Sequence, residues 1–348
     1  MTGKQRFLTA LRNGTPDRVP IFLRDLTLGL DLCDYTTPEV SGVYDAEKAA
    51  RCVLASQERF SQDAVVGCIH DLGLDAEALG GVAEFPERGI PFVAQAPLGD
   101  DGFAASASVG DLRPGRWPAV LDCYGQAKAE VGERAAVAAN VEGPVTRAGI
   151  LRGLERLAMD LVRHRELAAH IIELSTQMAV LHTRAMLAAG ADFVFIAAAT
   201  DGPAAISPKD YLEFTIPSLK RIVQEARSHG APVVFHPHGR FTDPRFRELI
   251  DAAIDCGIDG YQFGEGCDPR QARELWGERV CLLGGPDVAE VLVAGPGERV
   301  REDTRRYLEA CMGSGGFVLM ASCSLHRGVP PQHIEAMVET VMEAGRYG

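Results

Sequence analysis

Short apolar runs alternate with longer stretches of helical spacing along most of this chain. The runs are RVPIFL (Arg18–Leu23), DAVVGC (Asp63–Cys68), AAVAANVEG (Ala135–Gly143), DFVFIAA (Asp192–Ala198), PVVFHPH (Pro232–His238), GYQFG (Gly260–Gly264), CLLGG (Cys281–Gly285) and GFVLMAS (Gly316–Ser322). Most are unbroken rather than alternating, the pattern of parallel strands covered on both faces. Between them, Leu154 to Gly190 carries apolar residues at helical spacing over many turns. A second helix opens with Ser207 as N-cap and Pro208 at the first position, and runs to Gly230. Two more open on Asp-Pro, at Asp243 and Asp268, and close on glycine. Eight strands alternating with helices predict an α/β fold, a (β/α)8 TIM barrel, as one domain over residues 1–348. An N-terminal helical extension precedes it, and residues 72–134 form an insertion between strands two and three.

Composition narrows the function classes. Hydrophobic residues make up 46% of the chain, enough for a large core, and the net charge is −13. That balance speaks against nucleic acid, which needs a basic footprint, and against an anionic membrane surface. No apolar run approaches the roughly 18–20 residues of a membrane span. The N-terminus, MTGKQRFLTALRNG, lacks the apolar centre of a signal peptide. Nine cysteines without regular spacing fit a reducing compartment better than a disulfide framework. A cytoplasmic protein that handles small molecules or protein partners is expected; whether it forms homo-oligomers is left open.

A barrel of this kind works at the C-terminal ends of its strands. The polar residues there are Arg24 and Asp25, then Cys68, His70 and Asp71, then Asp201, then His236 and His238, then Glu265 and Cys267, and finally Cys323 and His326. In an extended chain His236 and His238 point to one face. They read either as half of a metal site or as a polar strand end with His238 in water. With the sulfur of Cys323, 85 positions further on (323 − 238), they would supply the three protein ligands of a catalytic zinc centre that keeps its fourth position for a reactant; Cys323 alone reads as a buried inert thiol. Glu265 reads as a displaceable fourth ligand, as an acceptor from a histidine N–H, or as a solvated carboxylate. Asp71, Asp201, Tyr261 and Glu265 are candidates for orientation or proton handling. Asn140 and Gly143 lead into a helix whose free N–H groups suit an anionic part of a ligand or cofactor, or simply make the turn.

The segments NGTPDRVPIF, HDLGLDAEALG (His70–Gly80), VEGPVTRAGILRG (Val141–Gly153), ISPKDYLEFTIPSLKRI (Ile206–Ile222), VVFHPHG, LLGGPDVAEVLVAGP (Leu282–Pro296) and GGFVLMASC are together specific. Through them the chain resembles the uroporphyrinogen decarboxylase superfamily over nearly its whole length. The resemblance implies the same barrel. True decarboxylases carry an arginine-rich RQAGRY-like motif near the N-terminus, and PIFLRDLTLGL stands here instead. The chain looks more like the zinc-dependent corrinoid methyltransferases, which move a methyl group between a corrinoid protein and a small thiol, folate or methoxy/methylated substrate. Their His-x-Cys pair and later cysteine fall on His236, His238 and Cys323, with Glu265 near an expected acidic ligand. The resemblance thus implies Zn²⁺, a corrinoid (cobalamin) carried by a partner or supplied free, and a small methyl donor or acceptor. His238 departs from the family cysteine. The site charge with zinc rises from about zero to about +1, which favours an oxygen ligand over a thiolate nucleophile. Ala198 stands where the family often has aspartate, with Asp201 three residues on as its replacement. The rival reading is a metal-free decarboxylase-like lyase for a carboxylated substrate.

Overall fold

The computed structural model describes residues 1–69 and 71–348. Its strands are β1 (Ala64–Val66), β2 (Val82–Glu84), β3 (Phe92–Gln95), β4 (Ala136–Glu142), β5 (Phe193–Ala198), β6 (Val233–Pro237), β7 (Gly260–Gln262), β8 (Cys281–Gly284) and β9 (Phe317–Leu319). Seven of them form one parallel sheet in the order β1-β4-β5-β6-β7-β8-β9. The order follows the sequence, each strand lying beside the next one of the sheet along the chain. Strands β2 and β3 form a separate antiparallel hairpin inside the insertion. No helix among the described residues is long and apolar enough to cross a membrane.

The first expected strand, Arg18–Leu23, makes no regular ladder. Ile21 bridges in parallel to Leu319 of β9, and Phe22 to Ala64 of β1. Pro20 has no N–H to give a ladder, and Arg24 turns the chain at φ +46°, so pairing stops at single bridges. The segment nevertheless lies between the two edge strands of the sheet.

The helical stretches also break where the backbone demands it. Leu154–Gly190 is two helices, Leu154–Arg163 and Arg165–Ala188, divided at His164. Within Ser207–Gly230, Ser207 does cap by accepting from the Asp210 N–H, but residues Tyr211–Thr215 widen into a π turn. Pro217, one residue beyond Ile216, cannot donate to the preceding turn, which accounts for the widening. Asp268 caps its helix as expected, accepting from Gln271 N–H. The helix after Asp243 starts only at Arg247, because the Asp243 carboxylate is engaged with the N–H and side chain of Arg245.

Strand alternation sorts the sheet's side chains into two sets. Phe193 and Phe195 of β5 face the concave side, where Phe7 of the N-terminal Gly3–Leu11 helix and Phe22 meet them. Ring centroids there lie 4.6–5.8 Å apart. His236 of β6 stands on the same side, 5.8 Å from the Phe195 ring. An aromatic column thus runs from the N-terminal helix up to the first histidine.

Candidate metal centre

His236 lies near the end of β6, buried and in register with Ala197 of β5. His238 follows just beyond the strand. Cys323 comes from the loop after β9, half-buried like His238. The two imidazole Nε2 atoms are 3.0 Å apart, and Cys323 Sγ is 3.6 Å from His238 Nε2. One donor atom from each residue lies within 4.8 Å of the other two, the one such cluster among the described residues. Tetrahedral zinc with bonds of about 2.0–2.1 Å to nitrogen and 2.3 Å to sulfur separates its ligand atoms by roughly 3.3 and 3.6 Å. The nitrogen–sulfur spacing equals the second value, and the nitrogen–nitrogen spacing lies about 0.3 Å inside the first (3.3 − 3.0).

The neighbours prepare each donor. The His236 Nδ1 lies 3.3 Å from the Gln262 carbonyl. A carbonyl only accepts, so Nδ1 carries the proton and Nε2 presents its lone pair to the cluster. Burial lowers the pKa of His236 and keeps it neutral. Burial also resists ionisation of Cys323, but its hydrogen bond with His238 and the charge of Arg24 hold its thiol below the ordinary thiol range. The hydrogen bond to Cys323 raises His238 in turn. Two imidazoles and a thiolate this close put several lone pairs against one another. A single proton relieves one contact; a divalent cation relieves all three.

Above the cluster opens a cavity of about 320 Å³. Arg24 and Glu142 line it beside the ligand atoms, and Leu26, Ile90, Ile150 and Leu154 line it elsewhere. Arg24 sits in a left-handed backbone conformation that costs about 1–3 kcal/mol. Its guanidinium lies 4.6 Å over the Phe195 ring, and its Nε donates to Asn140 Oδ1 at 3.1 Å. Sequence reasoning placed Arg24 at a strand end without giving it a role. It also passed over Glu142, a charge two residues from Asn140 and therefore on the same face of a buried strand.

The other expected site residues separate. Asn140 does face the centre, but it serves Arg24. Glu265 is exposed beside the cluster and not in it: its carboxylate accepts from Ser322 Oγ at 3.0 Å, and its charge helps raise His238. Asp201 stands apart from the cluster. It is wholly buried and accepts from the N–H groups of Val145 (3.0 Å) and Thr146 (2.8 Å) and from the Thr146 hydroxyl. The helix start expected to hold an anionic ligand is therefore already held by this carboxylate. Gly143 is small for packing instead: a Cβ there would come within 2.6 Å of Asp201 Oδ2 and 2.8 Å of the Ala198 side chain. Nor does Asp201 line the cavity as a substitute at Ala198. Tyr261 is a second such residue. It alternates with Gln262, so its ring points to the outer helices, packed 5.5 Å from Trp276. Asp71 is a third: it pairs with Arg116 and accepts from Gly73 N–H, fastening the insertion. Cys267 donates to the Gly239 carbonyl, and the His326 ring accepts from Gly328 N–H. His70 lies outside the described residues.

Burial lifts the Asp201 pKa to about 6 despite its hydrogen bonds. Asp201→Ala leaves two helix N–H groups buried without acceptors, at about 1–3 kcal/mol each. A fall of roughly 2–4 kcal/mol in urea-unfolding stability is expected. Stability within about 0.5 kcal/mol of the parent would refute the capping role.

Fold and site together define a class: a curled parallel α/β sheet that gathers a His-His-Cys donor set at the C-terminal ends of its strands. The chain belongs to the uroporphyrinogen decarboxylase (URO-D) family, whose pattern matches residues 2–344. It is 27% identical over 349 residues to the methylcobamide:CoM methyltransferase MtaA of Methanosarcina barkeri, covering 97% of this chain and 96% of that one. It is 24% identical to a methylated-thiol–coenzyme M methyltransferase of Methanosarcina mazei, covering 99% and 90%. A solved methyltransferase structure from Methanosarcina mazei superposes with a TM-score of 0.86 at 25% identity, covering 99% of both chains.

Proposed function

We propose that this chain is a zinc-dependent methyltransferase that works with a corrinoid. The observation that carries the reading is the convergence of His236, His238 and Cys323, at zinc-ligand spacing, beneath a cavity. The relatives' printed activities support the corrinoid side. We further read the bridges of Ile21 and Phe22 as the eighth strand, closing a (β/α)8 barrel.

His236, His238 and Cys323 would hold zinc, which supplies Lewis acidity toward a heteroatom of the reactant in its fourth position. The remaining work falls to the chain. The Gln262 carbonyl fixes the His236 tautomer. Arg24, held by Asn140 and Phe195, keeps a positive charge beside the Cys323 thiolate. The apolar wall of Leu26, Ile90, Ile150 and Leu154 keeps water from the reacting atoms. Glu265, beside His238, orients that ring through its charge. With one thiolate and two neutral imidazoles the centre carries about +1, which suits an oxygen atom of the reactant. The corrinoid, carried by a partner protein or supplied free, would meet the reactant at the cavity mouth. The rival metal-free lyase has no use for a thiolate flanked by two imidazoles.

Metal analysis of the purified chain, followed by zinc titration of a stripped sample, tests the reading. About one zinc per chain and methylation of cob(I)alamin by a methylated substrate are expected. A chain that neither retains nor takes up stoichiometric zinc overturns it.

A further inference from the structure

The helix Leu154–Arg163 buries Leu157, Asp160 and Leu161 and turns its other residues outward. Its outer side departs from the polar face usual on a surface helix. Leu154 and Met159 are 52% exposed and Val162 83%, with Ala158 exposed among them. Leu154, Ala158 and Val162 recur at i, i+4 and i+8, so they form one row along the helix, and Glu155, Met159 and Arg163 form the next. Single exposed apolar residues are ordinary, whereas a continuous row of them marks a contact surface. The row begins at the cavity over the metal centre, which Leu154 also lines.

The second row says what covers the first. Glu155 and Arg163 stand one helical step of four residues before and after Met159. Neither makes an ion pair or side-chain hydrogen bond among the described residues, whereas nearby Arg165 is paired with Asp210 and Glu213. A row that reads negative, apolar, positive is complementary to itself when reversed. About a twofold axis at Met159, Glu155 meets the second copy's Arg163, Arg163 meets its Glu155, and Met159 meets its own image, as an isologous contact demands. Rows of this spacing on two helices interdigitate at a crossing of about −50°, and the small Ala158 leaves room for the copy's row to settle beside Leu154 and Val162. With a net charge of −13, unspecific self-association is unfavourable, so pairing needs such a local match. We propose that the outer face of Leu154–Arg163 packs antiparallel on the same face of a second copy, giving a twofold homodimer whose seam starts at the cavity rim. The pairing needs neither zinc nor a corrinoid and stands apart from the methyl-transfer reading.

Analytical ultracentrifugation of the purified full chain tests the pairing. The parent is expected to sediment as a dimer at micromolar concentration, and Val162→Glu, which sets a charge into the apolar row, as a monomer. Glu155→Arg alone should weaken association at least about tenfold, because the twofold repeats each new clash of like charges. Glu155→Arg combined with Arg163→Glu restores both pairs with their signs exchanged, and recovery to within about threefold of the parent is expected. All three positions are exposed, so folding should not change, as circular dichroism of each variant can check. A parent that stays monomeric throughout the micromolar range overturns the proposal. So does a dimer indifferent to both Val162→Glu and Glu155→Arg, which another face would then hold, and so does a double exchange that recovers nothing.

Discussion

Replacing Cys323 by alanine is expected to remove zinc and methyl transfer together, with activity down by at least about 10³-fold, roughly 4 kcal/mol of transition-state stabilisation. Cys323 is the one anionic member of the donor set. Without it two neutral imidazoles are left to hold a doubly charged ion, and the vacated corner opens to water. The residue is half-buried in a loop, so the fold should survive, as circular dichroism can check. His238→Cys is the informative companion. It keeps three donors but lowers the site charge from about +1 to about zero. Zinc should stay bound while oxygen-linked methyl donors lose rate relative to methylated thiols. If Cys323→Ala keeps stoichiometric zinc and full activity, the sulfur is not a ligand and the proposed centre is wrong.

The donor set was legible in the sequence for a simple reason. Two histidines separated by one residue at the end of an apolar run must share a face, and a cysteine after the last run lies at the same end of a parallel sheet. What sequence reasoning lacked was the direction of each neighbouring side chain. Tyr261 and Gln262 are adjacent, and only the register of β7 against β6 and β8 decides which of them looks inward. Asp201 reads as a loop carboxylate until the chain folds and brings it over the N-terminus of the Pro144–Arg152 helix, more than fifty residues earlier. Arg24 was hidden by its strand, where Pro20 and a left-handed turn leave only isolated bridges. The strand–helix alternation was readable because burial imposes it on every repeat. The break at His164 was not, since no proline or glycine marks it.

The largest stability effect is expected at Arg147, beneath the site rather than in it. The insertion's Gly73–Ala78 helix carries Asp75, whose Oδ2 lies 2.8 Å from Arg147 Nε on the Pro144–Arg152 helix, with both side chains buried. His182 Nδ1 is 3.3 Å from the other carboxylate oxygen, and its ring lies 3.9 Å from that of Trp117. One arginine thus ties the insertion to the sheet's helical layer. Arg147→Met leaves Asp75 as a buried charge without its partner, which costs about 3–5 kcal/mol. Urea unfolding should show that loss, and hydrogen exchange should place it in residues 72–134. A loss under about 1 kcal/mol would mean that the pair is not buried in solution. His182 adds a pH signature. Burial lowers its pKa to about 4, whereas an unfolded histidine titrates near 6.5. Between those values the unfolded chain binds the extra proton, so this contribution is present above pH ~6.5 and fades as pH falls toward 4, on the order of 3 kcal/mol in all. Asp201, whose pKa is raised, acts with the opposite sign over pH ~4–6, so the parent curve alone does not isolate either group. The difference between the parent and His182→Gln does: it should shrink steadily on acidification from pH 6.5 to 4, and a difference independent of pH would show that His182 is not neutral in the folded chain.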